Sequence, residues 1–446
     1  MNPWLLTATD LPERVDVLII GAGPAGLCAA AEVALRQPTS TMLVLEGDDA
    51  IGGRVRTVQR DGFLLDRGFQ VLNTAYPEVQ TQLDLDALQL GNFLAGAAVR
   101  HDGRFQIIAD PRRHPLLGAR TLQTTMGSLG DKLRTAQLAL STRSATPHAS
   151  EAADESTAEL LARAGTGAFG ELMLRPFFRG VFLEPELRTS AAKFRWLLKM
   201  FGSGNSSLPA DGLGAVTRQL AAKLPDRSVA LDTRVELLER LDGGAWQVHL
   251  ASRRPITATT VVVAAEQQAA FDLVNPVVDG AVTAPDSTVT PTSITHYYAL
   301  PSQPRDRRPV LLLGTREDGP IDNAALVSNV QPHYAPAGRA LLQATVVPDA
   351  ATTSDGAALE PRVRTQLRTW FGGSVDRWEH IHTDHLTNCL PFAAPGSWGR
   401  VRDPKVAEGL YVAGDHVDGA TLDGALRSGR IAGADAAFSL RVAQRA

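Results

Sequence analysis

The stretch that decides the fold is Val17-Leu18-Ile19-Ile20-Gly21-Ala22-Gly23-Pro24-Ala25-Gly26, close to the N-terminus. The continuous apolar run over residues 15–20 is typical of a strand that is covered on both faces. The alanine-rich residues 27–35 predict a helix, and residues 41–45 predict a second strand. The sequence therefore predicts a βαβ unit with a G-x-G-x-x-G turn between its first strand and its helix.

Each residue of this turn has its own expected role in binding a dinucleotide. Gly21 permits the tight turn, Gly23 lets the backbone approach a pyrophosphate, and Gly26 allows close packing of helix on strand. Together with Pro24 and Ala25 they open the helix, whose N-terminal amides and dipole favour an anion. A glycine-rich turn of an unrelated α/β fold is the alternative interpretation.

An acidic residue and a second glycine signature complete the pattern. Glu46 ends the second predicted strand, where a carboxylate can accept hydrogen bonds from both hydroxyls of a ribose. Near the C-terminus, residues 410–413 predict another strand, which runs into Gly414-Asp415. Asp423-Gly424-Ala425 then opens the last predicted helix. Both ends of the chain are therefore expected to contribute to one dinucleotide site.

Gly52-Gly53-Arg54 and the segment 62–68 follow Glu46. This order resembles the superfamily of flavin-containing amine oxidases, phytoene desaturases and protoporphyrinogen oxidases. The resemblance implies FAD as the cofactor, bound non-covalently. It implies that Arg54 lies near the pyrophosphate and that Gly52, Gly53 and Gly68 are backbone neighbours of the cofactor. A surface position is the alternative for Arg54.

The resemblance extends to the middle and the end of the chain. It implies that Asp415, after Gly414, hydrogen-bonds the ribityl chain, and that the backbone of Val235 contacts adenine. Amides at the start of the last helix, at Asp423-Gly424-Ala425, would donate to flavin O2. At residues 208–213 the chain departs from the family's turn, because Asp211 stands in place of a glycine. The match is weak between about residues 80 and 200 and between 266 and 380.

We expect a fold of class α/β with two domains in an α+β arrangement. One is a Rossmann-like FAD-binding domain that contains the βαβ unit. It is predicted to be discontinuous, made of residues 1–78, 205–268 and 386–446. The other is a substrate-binding domain of mixed sheet and helices, made of residues 79–204, which form a helical insert, and 269–385.

Composition limits the remaining classes of function. The chain has 446 residues, of which 44% are hydrophobic and 21% charged, which is ordinary for a globular protein. Its net charge of −4 gives no reason to expect nucleic acid as a partner. The two cysteines cannot form a disulfide framework, and the first residues lack the pattern of a signal peptide. A cytoplasmic location is expected, with peripheral membrane contact left open.

The chemistry is either oxidation of a C–N bond, as in amine oxidases, or of a C–C bond, as in desaturases. Many amine oxidases of the family carry a lysine near flavin N5, on a strand similar to residues 293–298. This chain has no lysine between Lys223 and Lys405. The family's two tyrosines that align an amine would fall near Leu390 and Thr421, and neither of these is aromatic. These departures disfavour an amine substrate.

An apolar substrate, isoprenoid- or polyene-like, fits better. Residues 176–183 and 194–201 are rich in large apolar side chains. In desaturase-like members of the family that the chain resembles, the corresponding regions line a hydrophobic tunnel or touch the membrane. Packing of a helical core is the alternative for these residues. The expected reaction is dehydrogenation of a small molecule by hydride transfer to flavin N5, with O2, a quinone or another electron acceptor. A flavin amine oxidase and a non-catalytic lipid-binding protein, similar to GDP-dissociation inhibitors, remain alternatives.

Histidine is the natural group for proton transfer, and His296 and His385 are the catalytic candidates. No metal site is predicted, because a third ligand beside His380 and His382 is not specified. A covalent thioether between the flavin and Cys389 is an alternative to non-covalent binding.

Overall fold

The computed structural model describes residues 2–7, 10–147, 154–251, 253–349, 356–399 and 402–443, which form a mixed α/β fold. Its strands are β1 (Leu5–Leu6), β2 (Arg14–Ile20), β3 (Met42–Leu45), β4 (Thr57–Arg60), β5 (Phe63–Asp66), β6 (Leu72–Asn73), β7 (Gly91–Asn92), β8 (Gly96–His101), β9 (Arg104–Ala109), β10 (Ser206–Leu208), β11 (Val229–Ala230), β12 (Val235–Arg240), β13 (Trp246–Leu250), β14 (Ile256–Val263), β15 (Ser293–Leu300), β16 (Leu311–Leu313), β17 (Asn323–Leu326), β18 (Ala340–Val346), β19 (Glu379–Leu386), β20 (Lys405–Ala407) and β21 (Leu410–Val412).

Its helices are α1 (Pro24–Arg36), α2 (Pro77–Gln82), α3 (Pro115–Leu122), α4 (Leu129–Ser141), α5 (Thr157–Arg163), α6 (Gly167–Phe169), α7 (Arg175–Phe182), α8 (Ala191–Ser203), α9 (Gly214–Ala221), α10 (Gln267–Val274), α11 (Val327–Val330), α12 (Gly356–Phe371) and α13 (Leu422–Ala443). Short 3-10 segments lie at Thr142–Ser144, Pro332–Tyr334 and Gly372–Arg377, and a π-helical turn lies at Gly170–Leu174. None of the helices in the described part of the chain combines the length and apolar composition that crossing a membrane requires.

The first large sheet draws its strands from both ends of the chain. Within the described residues its order is β1-β11-β3-β2-β14-β13-β12, and β21 pairs with the second half of β14. β2 is parallel to β3 and β14, as the βαβ unit requires. Val17 and Ile19 pack into the core on one face, and Leu18 and Ile20 pack into the core on the other. The first strand of the unit is therefore covered on both faces, as its sequence predicts.

Helices α1 and α13 pack directly on each other, and glycines make the close approach possible. A Cβ on Gly429 would lie 2.1 Å from the carbonyl oxygen of Ala25, and one on Gly433 would lie 2.4 Å from that of Ala29. Both distances are far below van der Waals contact, so only glycine fits without movement of the backbone. The helix of the N-terminal glycine turn and the helix of the C-terminal signature are thus held against each other.

The second large sheet has the order β19-β15-β18-β17-β16-β8-β9 among the described residues. Helix α12 covers one face, where Ile294 and Tyr298 join its core, while Tyr297 belongs to the core on the other face. The helices α3 to α8 lie between β9 and β10 along the chain and supply large buried side chains, among them Phe178 and Phe194. The domain boundaries predicted from the sequence stay a prediction.

Two hairpins were not predicted from the sequence. Residues 80–204 lack alternation over most of their length, yet they contain β8 and β9, which pair in antiparallel register. β8 is buried on both faces, so its sequence has no alternation to detect. The turn does carry a signal, because Asp102-Gly103 has φ of 50° and 70°, which suits a two-residue hairpin. Asp61-Gly62 joins β4 to β5 in the same way, with φ of 51° and 79°.

Candidate functional site

The glycine turn between β2 and α1 combines two crowded positions with one open position. Gly21 has a φ of +102°, and a Cβ there would lie 2.7 Å from the carbonyl oxygen of Ala264. A Cβ on Gly26 would lie 1.9 Å from the carbonyl oxygen of Gly21. A Cβ on Gly23, in contrast, would meet nothing within 4 Å. The turn therefore needs Gly21 and Gly26 for its own packing, whereas Gly23 leaves its outer side open.

The open position lies at the N-terminus of α1. Gly23 is the N-cap residue, with extended backbone, and no side chain of the described residues caps the helix there. Pro24 and Ala25 form the start of the first turn, and Ala25 is buried. A helix N-terminus with free amides and an unobstructed approach fits a phosphate group.

Glu46 lies beside the glycine turn, at the end of β3. Its Oε2 accepts a hydrogen bond from the amide of Ala22 at 2.8 Å, and its Oε1 accepts one from the amide of Asp48 at 3.0 Å. Burial raises the pKa of Glu46, while these two amides lower it. The carbonyl oxygen of Glu46 also accepts a bond from the amide of Thr233 at 2.8 Å. This bond brings the start of β12, with the partly buried Val235, next to the carboxylate.

The Gly52-Gly53-Arg54 segment packs against the same turn. The amide of Gly52 donates to the carbonyl oxygen of Ala22 at 2.9 Å, and the φ of Gly52 is +115°. Gly53 has a φ of +54°, and a Cβ there would lie 3.6 Å from the Cα of Gly23. The two glycines therefore let the chain pass close to the open position.

Arg54 connects the two ends of the chain. Its Nη1 and Nη2 donate to the two carboxylate oxygens of Asp415 at 2.8 and 2.6 Å, and Nη1 also donates to the carbonyl oxygen of Cys389 at 2.8 Å. Burial would lower the pKa of Arg54, but the Asp415 carboxylate raises it, so the guanidinium is charged. A two-pronged pair of this kind fixes the orientation of both groups. The structure thus brings together the residue predicted for the pyrophosphate side and the residue predicted for the ribityl chain.

The residues predicted for the flavin end surround the start of α13. The amide of Gly414 donates to the hydroxyl of Ser428 at 3.0 Å. A Cβ on Gly424 would lie 1.7 Å from the carbonyl oxygen of Asp418, and the amide of Ala425 donates within the same turn, to Thr421, at 3.0 Å. The bend and the helix start therefore pack as tightly as the first glycine turn.

Asp423 has a partner that the sequence did not predict. Its Oδ1 accepts a hydrogen bond from the amide of Glu78 at 2.7 Å, which attaches α2 to the start of α13. Burial raises the pKa of Asp423 to about 6. Arg430, seven residues further along α13, completes this contact, since it pairs with the carboxylate of Glu78 at 2.7 Å.

Gly68 meets the second sheet through a network of buried hydrogen bonds. With a φ of +74°, its amide donates to Asp384 Oδ2 at 2.9 Å and to the hydroxyl oxygen of Tyr297 at 3.0 Å. The Tyr297 hydroxyl lies 2.7 Å from Asp384 Oδ2 and also bonds the carbonyl oxygen of Asp66. The network therefore connects the segment that follows Arg54 to β15 and β19.

The two histidine candidates lie on the other face of this sheet. His296 is fully buried, and its Nδ1 lies 2.9 Å from the hydroxyl of Thr383, while its Nε2 has no hydrogen-bond partner among the described residues. Burial lowers the pKa of His296 to about 4. His385 is exposed and pairs across the sheet with Ile294, which packs toward α12. The structure does not bring either histidine next to the Arg54–Asp415 pair.

The remaining candidates on this segment are bonded locally. His380 Nε2 lies 2.8 Å from the Thr383 hydroxyl, and His382 Nε2 lies 3.0 Å from Asp384 Oδ1. The described residues contain no group of three or more His, Cys, Asp or Glu side chains arranged to hold a metal ion. Burial raises the pKa of Cys389 to about 11, and its Sγ lies 3.2 Å from the carbonyl oxygen of Leu386. Cys389 is therefore a thiol at neutral pH.

Two polar groups at the flavin end were missed by sequence reasoning. Both ring nitrogens of His416 are buried and lack partners among the described residues, and the ring stands 2.5 Å from where a Cβ of Gly414 would be. Unpartnered buried nitrogens are available for hydrogen bonds with a polar ligand group. Together with the open side of Gly23 and the charged Arg54, they fit a cofactor with phosphate, hydroxyl and ring heteroatoms, as FAD has.

The second group is Lys193, on α8. It is 1% exposed, and its Nζ lies 5.4 Å from the ring centre of Phe182 and 6.0 Å from that of Trp398. Burial lowers the pKa of Lys193 to about 8, although Asp415 acts in the opposite direction. Nothing in the sequence around Lys193 distinguishes it from a surface lysine of an amphipathic helix.

Comparison with known proteins places the chain among flavoenzymes. The model of the family described as flavin containing amine oxidoreductase matches residues 24–437. The chain is 28% identical over 197 residues to the chloroplastic protoporphyrinogen oxidase of Nicotiana tabacum, which covers 43% of this chain and 34% of that protein. It is 22% identical over 378 residues to coproporphyrinogen III oxidase of Bacillus subtilis (strain 168). The matched region covers 75% of this chain and 77% of that protein. The chain thus spans about a third of the length of the tobacco relative.

Solved structures show the same fold. Cyclohexylamine oxidase from Brevibacterium oxydans IH-35A matches with a TM-score of 0.69 at 19% identity, over 98% of this chain and 100% of that chain. Putrescine oxidase bound to putrescine matches with a TM-score of 0.68 at 16% identity, over 95% of this chain and 98% of that chain. The predicted two-domain α/β fold and the predicted resemblance are confirmed. The chain belongs to the flavin-containing amine oxidoreductase family, a family of FAD-dependent oxidoreductases.

Proposed function

We propose that this chain is an FAD-dependent dehydrogenase or oxidase that acts on a small, mainly apolar molecule. The observation that carries the proposal is the Arg54–Asp415 pair, which joins the two glycine signatures beside an interior of large apolar side chains. When bound, FAD supplies the electron acceptor, which takes a hydride equivalent at N5. The protein's own residues hold the cofactor, orient the substrate and exclude water.

Residues along the whole site have distinct binding roles in this proposal. The amides after Gly23 would bind the pyrophosphate, and Glu46 would bind the ribose hydroxyls. Arg54 would contact the phosphate side and Asp415 the ribityl chain. The other predicted contacts surround these four at the crowded turns described above, and they are Gly21, Pro24, Ala25, Gly26, Gly52, Gly53, Gly68, Val235, Gly414, Asp423, Gly424 and Ala425.

The surroundings of the flavin end support an apolar substrate over an amine. The positions expected to align an amine are Leu390 and Thr421, and the hydroxyl of Thr421 instead accepts a hydrogen bond from the amide of Gly424 at 3.1 Å. The aromatic rings of Phe182 and Trp398 already face a cation of the chain itself, Lys193. A second ammonium group at these rings would be repelled by the first. Two of the relatives are named as oxidases of porphyrinogens and not of amines, which agrees with a substrate other than a simple amine.

Oxidation of a C–N bond is the second candidate. The specific observation in its favour is the similarity of fold to enzymes named cyclohexylamine oxidase and putrescine oxidase. His296 and His385 stay predictions as proton-transfer groups. Their place on the α12 face of the sheet does not support that role.

The test begins with the purified chain. The protein should take up FAD, seen as the visible flavin absorption band. Absence of uptake would refute the proposal that the chain is a flavoenzyme. Anaerobic addition of a polyene or a porphyrinogen should bleach that band, whereas cyclohexylamine and putrescine should leave it unchanged. Bleaching by the amines alone would establish the second candidate instead. Admission of air or of a quinone to the bleached protein then identifies the acceptor by the faster recovery.

A cytoplasmic location with peripheral membrane contact completes the proposal. Helices α3 and α4 expose more than half of five leucine side chains, Leu116, Leu122, Leu129, Leu133 and Leu140. Arginines on and beside these helices, such as Arg120 and Arg143, suit anionic lipid headgroups. Co-sedimentation with vesicles that contain anionic lipid, lost on changing three of these leucines to serine, tests this contact.

A further inference from the structure

Lys193 is an almost fully buried lysine, and no carboxylate of the described residues forms an ion pair with it. Among the described residues no acceptor forms a hydrogen bond with its Nζ, although an ammonium group can donate three. Two aromatic faces, those of Phe182 and Trp398, supply partial compensation only. The Asp415 carboxylate raises the pKa of Lys193, but both of its oxygens are already bonded by Arg54. The ammonium is therefore under-compensated.

The position of Lys193 lies at the flavin end of the site. Ser190, at the start of α8, donates its amide to the carbonyl oxygen of Ala393 at 2.8 Å, in the segment that begins at the Arg54 contact. That segment continues to Trp398, whose ring lies 3.3 Å from where a Cβ of Gly419 would be. Gly419 belongs to the loop between Asp415 and Asp423. Lys193 thus faces the region that the proposed function assigns to the flavin and its substrate.

A buried cation that has no anionic partner within the protein is available to bind an anionic group of a ligand. If Lys193 served only to fill space with its hydrocarbon stem, its ammonium group would be expected at the surface, as in most long charged side chains. Lys199, one and a half turns further along α8, has such a local solution, since its Nζ donates to the carbonyl oxygen of Ala145 at 2.8 Å. Lys193 has none, so its charge has to be explained by something other than the fold.

We infer that Lys193 binds a carboxylate of the substrate, so that the molecule oxidised is an apolar acid. This inference rests on the proposed function and names the substrate class for the same site. The apolar walls from Phe182 and Trp398 would contact the hydrocarbon part, and Nζ would form a charge-assisted hydrogen bond with the acid group. Reduced flavin also carries negative charge, so the test separates the two sources of anion.

The test uses the FAD-loaded protein and a matched pair of probes, octanoate and octanamide, titrated by isothermal calorimetry. Octanoate should bind about tenfold to a hundredfold more tightly than octanamide, as expected for a hydrogen bond to a charged group. Lys193→Met and Lys193→Gln should abolish this preference, and Lys193→Arg should retain most of it. Lys199→Met, on the same helix, is the matched control and should leave the preference unchanged. The flavin content of each variant reports that it is folded.

Three results would overturn the inference. The first is equal binding of the two probes to the native protein, and the second is an undiminished preference in Lys193→Met. The third is a more negative flavin reduction potential in Lys193→Met with octanoate binding unchanged, which would assign the lysine to the charge of the cofactor. A chain without flavin would overturn the proposed function and this inference together. Full flavin content and bleaching by neutral apolar substrates, without a preference for the acid, would overturn this inference alone.

Discussion

Substitution of Gly23 by alanine separates cofactor binding from folding. A Cβ at this position meets no atom within 4 Å, and the backbone is extended with a φ of −76°, so alanine fits the folded chain. Loss of glycine at an N-cap costs about 0.5–1 kcal/mol. Alanine also reduces the conformational entropy of the unfolded chain, which stabilises the folded state by about 0.4–1 kcal/mol. The free energy of unfolding should therefore change by less than about 0.5 kcal/mol, which thermal or denaturant unfolding of the apoprotein measures.

The effect on FAD should be much larger. A methyl group would project into the open side of the turn, where the proposal places the pyrophosphate. Overpacking of this kind costs about 1–3 kcal/mol. The dissociation constant of FAD should thus rise about fivefold to 150-fold, read by the change in flavin fluorescence during titration.

Two other glycines provide controls for Gly23→Ala. Gly26→Ala should destabilise the fold itself, since its Cβ would lie 1.9 Å from a backbone oxygen, and FAD binding should fall with it. Gly373→Ala, in an open position of the 3-10 segment Gly372–Arg377, should affect neither property. Wild-type affinity for FAD in Gly23→Ala would refute the placement of the pyrophosphate on the open side of the glycine turn. Unfolding of Gly23→Ala would contradict the observation that a Cβ at residue 23 meets no other atom within 4 Å.

Four further predictions address single residues. Arg54→Met should weaken FAD binding about tenfold or more, and Arg54→Lys should weaken it less, because lysine keeps the charge but loses the two-pronged geometry; retention of FAD after gel filtration measures both. Burial raises the pKa of Asp66 from 3.8 to about 6, so the stability from this group is present below pH 3.8 and lost as pH rises through 6. Asp66→Asn should flatten that part of the pH dependence of denaturant unfolding, and an unchanged profile would contradict the assignment. Gly433→Ala should lower the free energy of unfolding by about 1–3 kcal/mol because its Cβ would approach Ala29, whereas an unaltered melting temperature would show that α1 and α13 can separate freely. Acid precipitation should release the flavin to the supernatant, since Cys389 is a neutral thiol; colour in the pellet would establish a covalent bond.

Backbone sterics explain why the cofactor side could be predicted from the sequence. Gly21 and Gly26 are in positions where a Cβ would overlap a backbone oxygen, so the identity of the residue itself reports the geometry. The burial of β2 on both faces gives a continuous apolar run, which the sequence also displays. At these positions only one type of residue is compatible with the fold, so the glycine motif predicts the local structure.

Pairing across the chain explains what could not be predicted. Arg54 and Asp415 are 361 positions apart, and their pair depends on the tertiary fold, in which β14 pairs with both β21 and β2. Asp423 is bonded to the amide of Glu78, and no local pattern indicates that contact. The hairpin of β8 and β9 was missed because the buried strand has no alternation, although Asp102-Gly103 marks its turn.

The same distinction bears on the choice of substrate. β15, which resembles the strand that carries a lysine in many amine oxidases, has none, and under the proposed function this departure favours an apolar substrate. The fold nevertheless places a lysine near Asp415 from α8, a helix in the part of the chain that matches the family weakly. With its charge near the rings of Phe182 and Trp398, this lysine would repel an ammonium group there, and in our proposal it offers a cation to an acid. In this proposal one residue opposes an amine and binds an acid. The preference for octanoate over octanamide tests the second effect, and the failure of putrescine to bleach the flavin tests the first.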